Sequence, residues 1–241
     1  MAHIILTGAT GTAGSAVLAY ALASPSISRI SILSRRPVKL ADNEPKAHII
    51  IHTDFEKYPE AVLDQLKGAT GCIWAQGISS RGMKEDDYSK ITVDYPLAAA
   101  RAFAGLGAQV NFVYMSGEGA DTEGKASTMF GRVKGRAEKT LLGLQEGESP
   151  DLKVYAVRPA IINPQGKYLA ERTPTLQDRA STLLGGIAGM VWKSFEIPAD
   201  KLAKACVDLA IGDGEPVPAG LGVGAGGRLL SNTALRRLAG L

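Results

Sequence analysis

The chain has 241 residues, of which 45% are hydrophobic and 21% charged, and its 27 basic and 24 acidic side chains leave a formal charge of +3. This size and composition predict a globular protein with a large buried core. Basic residues are spread along the chain without a basic run, which argues against nucleic-acid binding. Cys72 and Cys206 lie far apart and outside any metal-ligand spacing, so we expect buried thiols in a reducing compartment, with neither a zinc site nor disulfides.

The amino terminus and the apolar segments bear on where the protein resides. Residues 1–6 pass directly into a strand-like run, so we expect no signal or transit peptide. The apolar stretch around residues 183–192 is too short and too rich in glycine to span a bilayer. We therefore expect a cytoplasmic protein that does not associate with membranes.

Short β-branched apolar runs alternate with helix-compatible stretches along the first two thirds of the chain. The predicted strands are residues 3–7, 29–34, 47–52, 71–75, 110–115 and 153–157. The predicted helices are residues 13–23, 61–67, 85–106 and 129–144, and Pro96 can kink the third of them. This alternation predicts an α/β fold in which helices cover both faces of a doubly wound parallel sheet.

The pattern changes after residue 159. Residues 161–198 carry Pro, Gly and mixed charges around an amphipathic helix predicted at 176–192, and we interpret them as a small substrate-side lobe, the alternative being a surface excursion. A helix is predicted at 200–211, a Gly/Pro-rich linker at 212–227 and a last helix at 229–238. We expect a single domain with a lobe formed mainly by residues 160–198 and a carboxyl-terminal tail at 212–241.

Three glycines with regular spacing lie between the first predicted strand and the first helix. Gly8 allows a tight bend, Gly11 allows the main chain to approach a diphosphate, and Gly14 allows the helix to pack against the strand. The phosphate would lie against free N–H groups at the positive end of the helix. The alternative is a glycine-rich turn without a ligand. The predicted coenzyme-binding residues of this turn are Gly8, Thr10, Gly11, Thr12, Ala13 and Gly14.

The end of the second predicted strand bears on the choice of coenzyme. A carboxylate there would bind the ribose of NAD and repel a 2′-phosphate, whereas Ser34 is followed by Arg35 and Arg36, whose guanidinium groups suit a phosphate. After the third strand, Asp54 and Phe55 can place a carboxylate and an aromatic wall beside an adenine. The sequence favours NADP over NAD, and the alternative is that one or both arginines are solvated surface charges.

Further segments follow the remaining strands in a familiar order. The residues after the fourth, fifth and sixth predicted strands are Ala75, Gln76, Gly77, Ser116, Arg158 and Pro159. Together with the glycine turn, this order resembles the short-chain dehydrogenase/reductase superfamily over nearly the whole chain. Residues 115–121, 133–135 and 230–234 are similar to its atypical, Tat-interacting-protein-like members. The resemblance implies a Rossmann-type fold and coenzyme contacts from Ala75, Gln76, Gly77, Lys134, Pro159 and Ile161.

The same resemblance implies a catalytic set of Ser, Tyr and Lys, with the lysine four residues after the tyrosine. The lysine binds the nicotinamide ribose and lowers the pKa of the phenol, which near its ordinary value of about 10 is a poor base at neutral pH. Ser116 and Lys134 occupy the serine and lysine positions, but Phe130 stands where the tyrosine is expected. The resemblance therefore implies that the coenzyme site is kept, with Lys134 on a ribose hydroxyl, while the usual acid/base is missing.

Four side chains are candidates to replace the tyrosine, and for each the alternative is an ordinary core or rim residue. Tyr114 lies two residues before Ser116 and would share its face if the strand continued regularly. Tyr168 lies in the predicted lobe, and Glu118 or Asp121 could serve if burial raised the pKa of its carboxyl. Ser116 itself could instead cap the turn that follows it.

Other chemistries find little support. His3, His48 and His52 fall on or beside the first and third strands, so a Ser/His/Asp hydrolase is not expected. No metal site is expected either.

The leading functional interpretation is an NADP-dependent oxidoreductase acting on a small apolar carbonyl or hydroxyl compound. In it Ser116 polarises the carbonyl and Lys134 anchors the ribose. The missing tyrosine leaves open a non-redox isomerase or cyclase, and, from another class, a non-catalytic NADP-sensing regulator. The alanine-rich helix near residues 98–104 leaves a homodimer and a monomer equally open.

Overall fold

The computed structural model describes residues 1–168 and 195–241, and an eight-stranded sheet forms its centre. In chain order the strands are β1 (Ala2–Thr7), β2 (Ile27–Ser34), β3 (Ala47–Ile51), β4 (Gly71–Trp74), β5 (Val110–Met115), β6 (Leu152–Arg158), β7 (Ile161–Asn163), β8 (Glu196–Pro198), β9 (Val223–Gly224) and β10 (Leu229–Ser231). The central sheet has the order β3-β2-β1-β4-β5-β6-β10-β9, and β7 pairs with β8 in a separate sheet. Neighbouring strands run parallel except for the antiparallel pair of β9 and β10.

Helices cover both faces of this sheet. They are α1 (Thr12–Ala23), α2 (Glu60–Leu66), α3 (Glu85–Ser89), α4 (Tyr95–Phe103), α5 (Met129–Gly147), α6 (Ala199–Ile211) and α7 (Asn232–Leu238). Buried residues of α1, α6 and α7 pack on one face, and those of α4 and α5 pack on the other. All six residues of β5 are therefore buried, with Phe112 and Tyr114 on the α5 side and Val113 and Met115 on the α1 side. The prediction of a doubly wound α/β sheet is confirmed.

The strand order determines where a ligand can bind. From β1 the chain builds outward to β2 and β3, and then it returns to place β4 on the other side of β1. A crevice opens at such a switch point, outside the carboxyl ends of the strands. Gly8, Ala75 and Ser116, which follow β1, β4 and β5, all lie at that edge of the sheet.

The helix predicted at residues 85–106 is wrong in detail. The segment consists of α3, a π-helical turn at Lys90–Asp94, and α4. Pro96 lies in the first turn of α4, directly after this π turn, and has no N–H to donate to the carbonyl four residues before it. The irregularity expected at Pro96 is instead the π turn before it, and this turn supplies a carbonyl oxygen, that of Thr92, to the Tyr114 hydroxyl.

The carboxyl-terminal prediction is also corrected. The first three residues of the helix predicted at 229–238 form β10, which pairs in parallel with β6 and fully buries Leu230. The predicted linker at 212–227 contains β9 and a 3-10 turn at Ala225–Gly227. Pairing with the sheet overrides local preference in such short segments. By contrast, the helix predicted at 200–211 is confirmed as α6.

The helix predicted at 176–192 lies outside the described residues, and the substrate-side lobe stays a prediction. The two strands on either side of this segment, β7 and β8, pair with each other in parallel. Within the part of the chain that the structure describes, no helix has the length and apolar character needed to cross a membrane.

Candidate functional site

The glycine turn between β1 and α1 is held by close backbone contacts. Gly8 has a φ of +70°, and a Cβ there would lie 2.4 Å from the carbonyl oxygen of Ala75. A Cβ at Gly14 would lie 2.0 Å from the Gly8 carbonyl oxygen, whereas one at Gly11 would lie 3.4 Å from the same oxygen. Glycine is thus required at positions 8 and 14 by the protein itself, while Gly11 keeps the turn open on its ligand side.

The turn leads into an electropositive helix end. The amide of Gly11 donates to the Gly8 carbonyl at 2.9 Å, and Gly11 then forms the N-cap of α1 without a side chain to bond the helix N–H groups. The first turn of α1 carries no acidic residue. Such a helix end offers N–H donors and a partial positive charge to an anion.

Two cavities meet at this turn. The outer cavity, of about 150 Å³, is lined by Gly8, Ala9, Thr10, Gly11, Leu33, Ser34, Arg35, Phe55, Ala75, Gln76 and Gly77. The inner cavity, of about 500 Å³, is lined by Gly11, Thr12, Ala13, Ala75, Gln76, Gly77, Ile78, Ser79, Met115, Ser116, Phe130 and Lys134. The four residues common to both join them into one groove that crosses the glycine turn.

Only some of the residues predicted to bind the adenosine part of the coenzyme line the outer cavity. Arg35 lines it beside Ser34, and Phe55, which is 1% exposed, forms a wall. Asp54 does not line it, and one of its carboxylate oxygens accepts a hydrogen bond from the Glu56 amide at 3.1 Å. Arg36 is exposed and likewise outside the lining. Arg35 and Phe55 are therefore brought together, and Asp54 and Arg36 lie beside them.

Pro159 and Ile161 lie outside the lining of both cavities. The carbonyl oxygen of Pro159 accepts a hydrogen bond from the Glu118 amide at 2.9 Å, which joins the end of β6 to the loop after β5. Ile161 lies on β7 and is 45% exposed. Neither residue lines the groove, and their coenzyme contacts stay a prediction.

Ser116 and Lys134 meet in the inner cavity. The Ser116 Oγ is buried and has no hydrogen-bond partner among the described residues, which costs free energy until a ligand or water supplies one. Lys134 Nζ donates to the Met115 carbonyl at 2.9 Å and lies 4.8 Å from the centre of the Tyr114 ring. Burial lowers the pKa of Lys134 to about 8, against an opposing effect of Glu138.

Phe130 forms an apolar part of the same cavity. A Cβ on Gly117 would lie 2.7 Å from the Phe130 Cζ, so the ring packs directly on the backbone that follows Ser116. The side chain at position 130 thus contacts the loop that carries the serine. It offers no proton there.

Each candidate to replace the tyrosine has a hydrogen-bond partner of its own. Tyr114 does not line either cavity, and its role as the acid/base stays a prediction. The Tyr114 hydroxyl is buried on the α5 side and donates to the Thr92 carbonyl at 3.0 Å.

The two carboxylates after Ser116 serve the local backbone. Glu118 accepts a hydrogen bond from the Asn232 amide at 3.2 Å, at the start of α7. Asp121 accepts from the amides of Glu123 and Lys125 at 2.9 and 2.7 Å, and these bonds lower its pKa, the opposite of the shift that an acid requires. Tyr168 is partly buried and packs against the core on the α1 side, and its carbonyl oxygen accepts from the Ser15 hydroxyl at 3.4 Å.

A buried ion pair lies behind Lys134, and sequence reasoning missed it. Glu138, which is fully buried, accepts two hydrogen bonds from the Arg158 guanidinium at 2.8 and 2.5 Å. The pair ties α5 to the end of β6. Its sequence signal was the position of Glu138 between Ala137 and Leu141 on the apolar face of the helix, where a solvated charge is not expected.

The cysteines and the histidines described below lie in the core, outside the lining of both cavities. Cys72 and Cys206 are free and buried, as predicted, and burial raises the pKa of Cys206 to about 12. His3 bonds the Ser31 hydroxyl at 2.9 Å, and His52 stacks on Tyr58 in the core. Within the described residues no cluster of metal-ligating side chains is present.

Comparison with known proteins gives relatives in fungi. No family model matches the chain. It is 38% identical to leucinostatins biosynthesis cluster protein T of Purpureocillium lilacinum over 179 residues, 67% of this chain and 65% of that protein, so the match spans less than two thirds of that relative. It is 37% identical to botcinic acid biosynthesis cluster B protein 16 of Botryotinia fuckeliana over 138 residues, 54% of this chain and 87% of that protein.

A third relative overturns the predicted location. The mitochondrial protein fmp52 of Emericella nidulans is 29% identical over 232 residues, 91% of this chain and 92% of that protein. Further relatives matched over a similar length are also named mitochondrial. The expectation of a cytoplasmic protein is therefore wrong.

Solved structures share the fold. A short-chain dehydrogenase/reductase from Saccharomyces cerevisiae superposes with a TM-score of 0.66 at 15% identity, covering 99% of both chains. MoeE5, solved in complex with UDP-glucose and NAD, gives a TM-score of 0.63 at 15% identity, covering 86% of this chain and 71% of that one. The chain belongs to one family with botcinic acid biosynthesis cluster B protein 16, and its glycine turn and strand order give it the fold of the short-chain dehydrogenases/reductases.

Proposed function

We propose that this protein is an NADP-dependent oxidoreductase that acts on a small apolar carbonyl or hydroxyl compound. One observation carries the proposal: a single groove runs from Arg35, across the glycine turn, to Ser116 and Lys134. A dinucleotide is the kind of ligand that spans such a path, with a base at one end and a reactive ring at the other.

The residues along the groove fit each part of the coenzyme. Phe55 would form the wall of the adenine site, and the amides at the start of α1 would bind the diphosphate. Lys134 would bind a ribose hydroxyl in the inner cavity. When bound, the nicotinamide supplies or accepts a hydride.

The preference for NADP over NAD rests on Arg35. Its position in the lining of the outer cavity, directly after β2, is where a ribose 2′-phosphate is recognised in this fold. Charge-assisted hydrogen bonds from a guanidinium to a phosphate are among the stronger polar contacts. No carboxylate lines the outer cavity within the described residues, so nothing there favours a free 2′-hydroxyl over a phosphate.

The substrate class follows from the inner cavity. Ser116 offers an unpartnered hydroxyl to a carbonyl oxygen, while Phe130, Met115 and Ile78 give the cavity apolar walls. Two relatives are named after gene clusters for leucinostatins and botcinic acid, which supports a small-molecule substrate from specialised metabolism. The names of the fmp52 relatives support a mitochondrial location.

The phenylalanine at position 130 favours a second candidate. A site without the usual phenol suits a non-redox isomerase or cyclase, or a regulator that binds NADP without turnover. In each of these the coenzyme would bind in the same groove. Only an assay for oxidation of the coenzyme therefore distinguishes them from an oxidoreductase.

The test is turnover. Purified protein with NADPH and a panel of aldehydes, ketones and quinones is expected to oxidise the coenzyme, and Ser116→Ala is expected to slow the reaction by about 10²-fold because it removes one carbonyl-polarising donor. The matched control is Ser79→Ala, because Ser79 is a second serine that lines the same cavity but follows β4 instead of β5. Coenzyme binding without oxidation on any compound would refute the oxidoreductase and favour the regulator or isomerase.

A further inference from the structure

Carbonyl reduction in the inner cavity requires a proton source. The reaction places a hydride on the carbonyl carbon and a proton on the carbonyl oxygen. Among the described residues that line this cavity, Lys134 is the single side chain with an ionisable group, the others being apolar, hydroxyl, amide or glycine. The tyrosine that would normally transfer this proton is Phe130 here.

The ionisable groups around the cavity are already occupied. The Tyr114 hydroxyl donates to the Thr92 carbonyl. Both oxygens of Glu138 accept from Arg158. In the described part of the chain, none of these groups lines the cavity itself.

Lys134 keeps a donor for a ligand. An ammonium group has three N–H bonds. One N–H donates to the Met115 carbonyl at 2.9 Å. A second side of the ammonium group makes a cation–π contact with the Tyr114 ring, whose centre lies 4.8 Å from Nζ. The third has no partner among the described residues, and the Ser116 Oγ in the same cavity has none either.

We infer that Lys134 itself transfers the proton in this protein, in place of the missing phenol. The inference rests on the proposed oxidoreductase function. The hydride of the reduced nicotinamide coenzyme forms the new C–H bond as the C=O π electrons move to oxygen. That oxygen, held by the Ser116 hydroxyl, takes a proton from the Lys134 ammonium, so that an N–H bond breaks and an O–H bond forms. Lys134 is left as a neutral amine and regains its proton from water, and in alcohol oxidation the same steps run in reverse.

The electrostatic surroundings suit this role. Burial lowers the pKa of Lys134 to about 8, so the ammonium predominates at neutral pH yet gives up its proton readily. On its own helix Glu138 raises this pKa, but the guanidinium of Arg158 from β6 pairs with that carboxylate. The Tyr114 phenol on β5 is kept neutral because burial raises its pKa.

The first test measures the pKa of Lys134 without any turnover. The protein is labelled with ¹³C at lysine Cε, and its NMR signals are followed against pH with and without saturating NADP⁺. The signal that disappears in Lys134→Arg is expected to titrate near pH 8, while that of the exposed Lys139 on the same helix provides the comparison. A midpoint for Lys134 above about 10, the ordinary range for lysine, would contradict the inference.

The second test compares reduction rates. In the native protein, kcat/KM for carbonyl reduction is expected to fall about tenfold per pH unit above the midpoint found by NMR, because the ammonium is the reactive form. Lys134→Arg keeps a cation for the ribose but cannot release a proton, so kcat should fall by about 10²-fold or more while NADPH affinity changes little. Lys139→Arg is the matched control and should retain full activity.

The outcomes separate the two claims. If NADPH fails to bind, or binds without reduction of any carbonyl, the proposed oxidoreductase and the inference fall together. If the native protein reduces carbonyls but its rate is independent of pH between about 7 and 10, or Lys134→Arg keeps the native kcat, the inference alone is wrong. If Lys134→Arg does not fold, the pH profile and NMR midpoint of the native protein decide the matter.

Discussion

The buried pair of Glu138 and Arg158 gives a prediction that can be checked within the same molecule. Glu138→Gln removes the charge but nearly keeps the shape, and it leaves the Arg158 guanidinium, 17% exposed, without its carboxylate. Loss of one partner from a buried pair costs about 3–5 kcal/mol. That is a large share of the roughly 5–15 kcal/mol by which domains are stable. With a urea m value near about 3 kcal/mol/M, the unfolding midpoint should drop by about 1 M or more.

The chain offers a matched control on its surface. Arg101 and Glu148 form the same two-bonded geometry, with both distances at 3.1 Å, but their side chains are 53% and 62% exposed. Water screens such a pair, so Glu148→Gln should shift the unfolding midpoint by only a small fraction of the shift in Glu138→Gln.

Urea unfolding followed by circular dichroism is the assay, and a double-mutant cycle adds a check. Glu138→Gln combined with Arg158→Gln should destabilise less than the two single changes summed, because no buried charge is left unpaired. Equal midpoint shifts for Glu138→Gln and Glu148→Gln would refute the reasoning from burial.

Three further predictions test other parts of the account. Gly14→Ala forces a Cβ to within 2.0 Å of a backbone oxygen of the turn and should weaken NADPH binding at least about tenfold in calorimetry, whereas Gly143→Ala, with open space in α5, should leave binding unchanged. Arg35→Ala combined with Arg36→Ala should weaken NADPH binding about 10–100-fold and NADH binding much less, and equal losses would remove the 2′-phosphate assignment. Burial, together with the nearby Arg29, lowers the pKa of His3 to about 4, below its value of about 6.5 in the unfolded chain. Between these two pH values the unfolded state therefore binds more protons than the folded state. The free energy of unfolding should fall by up to about 3 kcal/mol as the pH drops from 6.5 to 4. His3→Gln should flatten that part of the urea-midpoint profile, and an unchanged slope would contradict the assignment.

The first six strands could be predicted because each contains an apolar run, and β1, β4 and β5 are almost entirely buried. Their bounds agree with the sequence prediction to within two residues, as at β5, where both ends match. The short strands could not be found in this way. Leu229–Ser231 holds three residues, and its strand conformation comes from pairing with β6. The π turn at Lys90–Asp94 was missed because its spacing of apolar residues resembles that of an ordinary helix.

The site was predicted where backbone geometry alone determines it. Glycine is required at position 14 by the nearby Gly8 carbonyl and at position 8 by the Ala75 carbonyl, which follows β4. Both positions could be recognised from the spacing of the glycines in the sequence. The partner of the Tyr114 hydroxyl could not be predicted, because it is the carbonyl of Thr92, 22 residues away in sequence. The pairing of Glu138 with Arg158 joins residues 20 positions apart and depends on the tertiary fold.

The measurement closest to the central claim is a calorimetric titration of the native protein with NADPH and, separately, with NADH. The account predicts saturable binding of one NADPH per chain, with NADH binding more weakly, because the groove carries a phosphate-binding turn and Arg35. Absence of binding heat for both coenzymes at millimolar concentration would contradict it, whatever reaction the inner cavity supports.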